Sequence, residues 1–151
     1  MKKRLLSSFI FASVMMGCGQ HDQAVKDEKA NSEVKRNFDA QLQKWVGHYE
    51  GALPCAGCSA FCEGCDGMNV DLKIYADQTF RLERTSNSDH NKHELYAGNF
   101  SFLDNGKVKI QLQSVKERNQ LILGHGYVEV LETKTGLPYQ LFEDFQLDKI
   151  A

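Results

Sequence analysis

From Trp45 onward, apolar and polar residues alternate along much of the chain. In V-D-L-K-I-Y, Val70, Leu72 and Ile74 alternate with Asp71, Lys73 and Tyr75, and after A-D-Q-T the alternation resumes in F-R-L-E-R. A period of two sends successive side chains to opposite faces, and two such runs around a short polar turn predict a hairpin. G-N-F-S-F puts Phe100 and Phe102 on one face. Asp104-Asn105-Gly106 reads as a tight turn, because Asn-Gly tolerates positive φ. K-V-K-I-Q-L-Q then places Val108, Ile110 and Leu112 inward. Y-V-E-V-L-E and Y-Q-L-F-E-D-F-Q-L supply two late strands about a turn at Thr135-Gly136-Leu137-Pro138. With W-V-G-H-Y-E-G this predicts about seven strands. The segments between them do not suit helical crossovers, so the sheet is expected to be antiparallel and the protein all-β. A sheet with one apolar face must bury it, and a small barrel closing on itself does so while leaving few open edges.

Upstream of Trp45 the period changes. Phe38, Leu42 and Trp45 are spaced four and three apart and fall on one face of a short helix, a packing stripe leading into the barrel. Gly19 to about Lys35 is polar and charge-rich, with too little apolar surface to offset its ordering entropy, and reads as a tether. Before it lies a processing segment. Lys2, Lys3 and Arg4 precede the mostly apolar run Leu5 to Met16, which is shorter than the roughly 20 residues a bilayer span needs. That run ends at Met15-Met16-Gly17-Cys18, which resembles a bacterial lipobox with Met where Leu is usual. The expected organisation is a lipoprotein signal peptide over 1–17, a lipid-anchored tether over 18–37 and a barrel domain over 38–151. The lipobox resemblance implies acylation of Cys18, and Gly19 in place of Asp points to the outer membrane. Membrane attachment through several chains would be stable, at about 0.8 kcal/mol per buried methylene.

A formal net charge of −2 gives no electrostatic case for nucleic acid. The sequence shows no P-loop, no G-x-G-x-x-G and no nucleophile elbow, so no enzymatic activity is expected.

Candidate chemistry concentrates in L-P-C-A-G-C-S-A-F-C-E-G-C-D-G-M, Leu53 to Met68. Four of the chain's five cysteines, Cys55, Cys58, Cys62 and Cys65, fall within eleven residues. Outside the cytosol disulfides persist, and four cysteines allow three pairings. Neighbour pairing would close very short loops that constrain the unfolded chain little. Thiolates are also soft ligands for Cu(I) and Zn(II), and Met68 adds a thioether. The spacing C-x2-C-x3-C-x2-C lacks the long spacer of zinc ribbons and differs from the ferredoxin run, so copper ranks above zinc and both above an iron–sulfur cluster. Catalytic redox use ranks last, because the nearest charges, Glu63 and Asp66, are negative and disfavour a thiolate. Metal ligation by Cys55, Cys58, Cys62, Cys65 and Met68, and disulfide formation by the same four cysteines, stand as alternatives.

G-H-Y-E-G-A-L-P-C-A-G-C followed by D-L-K-I-Y-A-D-Q-T-F-R-L resembles the N-terminal domain of the copper-resistance lipoprotein NlpE family. The resemblance is specific from Trp45 to Leu82 and looser to about Leu112. It implies a lipocalin-like β-barrel on an outer-membrane lipoprotein, with roles in copper tolerance and in signalling to an envelope-stress sensor protein. It also implies that such barrels can exchange strands as homodimers. The chain departs from the family pattern in carrying C-A-G-C-S-A-F and C-E-G-C-D-G-M as tandem copies seven residues apart, either of which aligns with the family's single C-x-x-C.

Elsewhere, His90 and His93 sit in a polar loop, His125 lies in a glycine-flanked turn, His48 stands on the first strand, and Glu143 and Asp144 read as surface charges.

Overall fold

A computed structural model describes residues 40–151 except 56, 62, 65 and 89–91. The lipidation residue Cys18, the tether and Phe38 lie outside the described residues, as do Cys62, Cys65 and His90. Residues 40–45 are helical. The described strands are β1 (Gly47–Leu53), β2 (Met68–Ile74), β3 (Thr79–Ser86), β4 (His93–Phe102), β5 (Lys109–Leu112), β6 (Gln120–Leu123), β7 (Tyr127–Leu131) and β8 (Gln146–Lys149), with a 3-10 turn at Phe142–Phe145 before β8. They form a closed, sequentially ordered barrel in which every pairing is antiparallel and β8 returns to β1.

The alternation read from the sequence is what fills this barrel. Val70, Leu72 and Ile74 on β2, Phe80 and Leu82 on β3, Ile110 and Leu112 on β5, and Val128 and Val130 on β7 are buried in a single apolar cluster. An eight-stranded barrel has an interior just wide enough for side chains to fill, so this core needs no second layer. Phe100 and Phe102 do share a face, edge to face with ring centroids 5.7 Å apart.

The eighth strand is β6, which the pattern did not show because Q-L-I-L is four residues long and three of them are apolar in succession. Two other details depart from expectation. Val108 is 41 % exposed, because it precedes β5, which begins at Lys109 and has Ile110 as its first buried residue; Lys107 before it adopts φ 56. The segment Y-Q-L-F-E-D-F-Q-L is not one strand. Its middle winds into the 3-10 turn, which buries Phe145 and stacks Tyr139 on it at 3.7 Å between ring centroids, and pairing resumes only from Gln146.

The helical segment closes one end of the barrel. Leu42 and Trp45 are buried, as the stripe predicts. The Trp45 indole Nε1 donates to the Lys107 carbonyl in the β4–β5 connection at 2.8 Å. Tyr49, fully buried on β1, donates its hydroxyl to the Trp45 carbonyl at 2.9 Å. The chain therefore enters at this end, and β1 carries it about 20 Å to the other at ~3.3 Å per residue.

Closure of the cylinder depends on a short seam. β1 and β8 pair through Tyr49↔Lys149 and Glu50↔Asp148, extended by the amide of Ile150 donating to the His48 carbonyl at 2.8 Å. A Cβ built on Gly51 would lie 2.8 Å from the backbone oxygen of Gln146, so the approach of β8 requires glycine there. Gly51→Ala should destabilise the domain by about 1–3 kcal/mol through this backbone clash, read as a lower urea midpoint with an unchanged slope.

Tyr49 supplies a pH-dependent check on the core. Burial pushes its phenol from 10.0 up to about 12. Between those values the unfolded chain has lost the proton and the folded chain keeps it, so stability is constant below pH 10 and falls as pH rises toward 12. Tyr49→Phe should flatten that alkaline limb in urea titrations across the window.

Candidate functional site at the cysteine loop

The β1–β2 connection, residues 54–67, leaves the barrel at the end opposite Trp45, where the β3–β4, β5–β6 and β7–β8 connections also emerge. Each of these contributes a fastening to the cysteine loop. From the β3–β4 connection, the Asn87 amide nitrogen Nδ2 donates to the Asp66 carbonyl at 2.9 Å, and its backbone N donates to the Gly67 carbonyl at 3.1 Å. From the 3-10 turn, the Asp144 carboxylate accepts from the amide of Phe61 at 3.1 Å.

The central fastening is Arg118, in the β5–β6 connection and 6 % exposed. Its Nη1 donates to the Pro54 carbonyl at 2.6 Å. Its Nη2 donates to the carbonyls of both Cys55 and Cys58, at 2.9 and 2.8 Å. The same Cys55 carbonyl accepts the amide of Cys58 at 2.9 Å, closing a β-turn in which Gly57 has φ +86. One guanidinium nitrogen thus holds both cysteine carbonyls of the first C-x-x-C. Gly64, the equivalent residue of the second copy, has φ +79, so both copies use glycine for the same left-handed backbone.

Arg118 is itself fixed from three sides. Its amide donates to Thr133 Oγ1 at 2.7 Å, its carbonyl accepts from Arg84 Nη2 at 3.0 Å, and its guanidinium lies 5.2 Å from the centre of the Phe145 ring. Its backbone has φ 53, a sparsely populated conformation for a side-chain-bearing residue. Arg84 is also buried and donates to the Glu117 carbonyl at 3.1 Å. Burial lowers the Arg84 pKa, opposed by Glu94, whose carboxylate lies 3.9 Å away. A hydrogen bond from Lys92 holds the Glu94 carboxyl below the usual range. The mouth of the barrel is therefore built on two buried cations that donate to backbone carbonyls, while Arg84 Nε has no partner among the described residues.

Cys55 is engaged in a disulfide and Cys58 carries a free, half-buried thiol, so the partner of Cys55 lies outside the described residues. Cys58 opens onto a recess of about 460 Å³ lined by Lys116, Glu117, Arg118, Lys134 and Tyr139, among others. Positive side chains thus join the acidic neighbours that the sequence placed near the thiols. Met68, at the start of β2, packs against the core, and its sulfur lies 4.0 Å from Arg118 Nη1. His93 stands on β4, 2.9 Å from Glu83, and His125 lines a shallow recess near Tyr49 and Lys149.

Sequence reasoning missed Arg84 and Arg118. A signal existed for Arg84, which continues the inward phase of Phe80 and Leu82, a position where a cation needs a specific reason. Arg118 sits in the charged run K-E-R-N, where nothing local distinguishes it from a solvated turn.

The fold and the mouth together define a small, closed, up-and-down β-barrel capped by a cysteine-bearing loop. A family model for the NlpE N-terminal domain matches residues 62–137, and the chain belongs to that family. The matched stretch begins at Cys62, so it takes in the second C-x-x-C and leaves the first upstream. Among solved structures, the chain is similar to a protein from Shewanella oneidensis described as a candidate lipoprotein, with 28% identity and a TM-score of 0.58 over 71% of this chain and 90% of that one. No curated protein matches the chain.

Arg118→Ala should leave three loop carbonyls without their charged donor and cost about 2–4 kcal/mol, since hydrogen bonds to charged groups contribute roughly 1.5–3 kcal/mol. Labelling of Cys58 by a maleimide should speed up at least ten-fold in that variant. Arg118→Lys should recover little of either property, because a single ammonium cannot reproduce the planar fork.

Proposed function

We propose that this protein is an envelope lipoprotein of the NlpE type, anchored to the outer membrane through Cys18, whose cysteine loop responds to soft metal ions or to oxidants. The observation that carries this reading is the Arg118 clamp. It holds the first C-x-x-C turn by its backbone and leaves the sulfur chemistry free to vary. Family membership and the likeness to the Shewanella oneidensis protein support the lipoprotein assignment. The lipobox-like Met15-Met16-Gly17-Cys18 supplies the modification site.

The chain enters the barrel at the Trp45 end, opposite the cysteine loop. In this reading the loop meets a partner in the envelope, an envelope-stress sensor protein. In the oxidised form Cys55 is in a disulfide and Cys58 is a thiol. Exchange with an external dithiol, which is itself oxidised to a disulfide, would supply the two electrons and two protons that return thiols at Cys55 and at its partner, and the Cys55 thiolate with that of Cys58 would offer two soft donors from one turn. With Cys62 and Cys65 the loop would provide four donors for Cu(I), with zinc a weaker competitor. The reading is of a binding and signalling module, not a catalyst.

The deciding experiment is Cu(I) titration of the reduced protein against a competing chelator, beside a variant with serine at Cys55, Cys58, Cys62 and Cys65. The reading expects tight uptake by the native loop and a loss of at least a hundred-fold in affinity in the variant; equal uptake by both would overturn it. Mass spectrometry of protein from membranes should find a lipidated Cys18, and Cys18→Ser should release the chain from the membrane fraction.

A further inference from the structure

The outer wall of the barrel carries a second constellation, unrelated to the cysteines. His48 and Glu50 lie two residues apart on β1 and so project to the same side, and Asp71 on β2 stands directly opposite Glu50. His48 Nε2 is 2.8 Å from Asp71 Oδ2 and 3.2 Å from Glu50 Oε1, and the three donor atoms lie within 4.8 Å of one another.

Strand register extends the feature. Asp71 is opposite Glu83 on β3, and Glu50 is opposite Asp148 on β8, so four carboxylates occupy one rung across four adjacent strands. Like charges directly opposite in a sheet are destabilising. Counter-charges are distributed unevenly along the rung. Glu83 is met by His93 at 2.9 Å and Arg81 at 3.4 Å, whereas Lys73 approaches Asp71 only to 3.9 Å. Among the described residues Asp148 forms no ion pair, and Glu50 has His48 alone. The under-compensated part of the rung is thus the part that carries the histidine. Glu50, Asp71, Glu83 and Asp148 line one open recess of about 560 Å³.

The backbone beneath the triad is rigid. His48 is paired with Lys73 on β2, and on its other side its amide donates to the Ala151 carbonyl at 2.7 Å and its carbonyl accepts from Ile150. Donors on paired strands hold their spacing without an ion to organise them.

We propose that His48, Glu50 and Asp71 form a binding site for a divalent first-row transition ion, with Zn²⁺ as the representative. One imidazole nitrogen and two carboxylate oxygens are a ligand set suited to such ions, and water or Asp148 completes the coordination. The ion would take the place between the imidazole and the carboxylates now filled by the hydrogen bond from His48 Nε2 to Asp71. Its charge would offset the rung of carboxylates. The donors are nitrogen and oxygen, so this site selects against Cu(I), the ion suited to the thiolate loop, and stands or falls independently of it.

The test uses the detergent-solubilised full chain with its free thiols blocked by iodoacetamide without prior reduction, so that the cysteine loop offers no thiolate. Zn²⁺ is titrated calorimetrically. The expected result is one saturable site per chain, weakened at least ten-fold in His48→Gln, in Asp71→Asn and in the more exposed Glu50→Gln, and unchanged in His125→Gln. Zn²⁺ should also raise the melting temperature of the native chain and leave that of His48→Gln where it stands in EDTA. Absence of saturable binding by the blocked native chain would overturn the proposal, as would native-like binding by folded His48→Gln and Asp71→Asn.

Discussion

The Arg118 guanidinium donates to three carbonyl oxygens of the loop that carries the cysteines, and it does so from a buried position at the mouth of the barrel. A buried cation is costly unless its donors are satisfied and counter-charge is near. Here the satisfaction comes from backbone oxygens of the loop, so folding of the loop and burial of the cation are one event. Arg84 repeats the device one layer deeper by donating to the carbonyl of Arg118 itself. The barrel wall, the β5–β6 connection and the cysteine turn are thereby linked through two side chains. The alternative, a mouth packed with apolar residues, would be at least as stable in a domain this size. Polar fastening instead specifies one position for the loop.

This arrangement separates position from reactivity. The contacts from Arg118 go to the carbonyls of Pro54, Cys55 and Cys58, and none goes to Cys58 sulfur. A change at the Cys58 sulfur need not break these backbone contacts. The three other described fastenings, two from Asn87 and one from Asp144, are likewise to backbone atoms.

Much of the barrel was legible in the sequence for a simple physical reason. One face of the strands meets a dry interior, so the alternation of Val70, Leu72 and Ile74 or of Phe80 and Leu82 records the burial directly. Reading failed where that constraint lapses. β6 is too short to alternate, and the Phe142–Phe145 turn buries Phe145 while leaving Phe142 and Glu143 outside. The cysteine loop was conspicuous by composition, but its fastening was not. Arg118 acts across 60 or more residues of sequence, through main-chain oxygens that carry no residue identity. Only the inward phase of Arg84 left a local trace. The His48, Glu50 and Asp71 constellation was hidden for a related reason, since register across β1, β2, β3 and β8 brings together residues that look separately like solvated positions.

The tandem duplication acquires a physical meaning from the clamp. The family match begins at Cys62, while the upstream G-H-Y-E-G-A-L-P leads directly into Cys55, so the two halves of the family pattern are split between the two copies. An inserted seven-residue unit must be accommodated by the loop, because β1 and β2 pair in full register from Gly47↔Ile74 to Leu53↔Met68 on either side of it. Without a tie, the longer loop would have gained a second thiol pair at the expense of a defined location for the first. Arg118 removes that conflict by holding the first copy at both of its cysteines, and the paired strand ends hold Gly67 and Met68 beyond the second. Both copies keep glycine in the left-handed conformation, Gly57 in the first and Gly64 in the second. Beyond Cys58 the described ties fall at Phe61, Asp66 and Gly67, so the longest stretch of the lengthened loop between them runs only from Phe61 to Asp66.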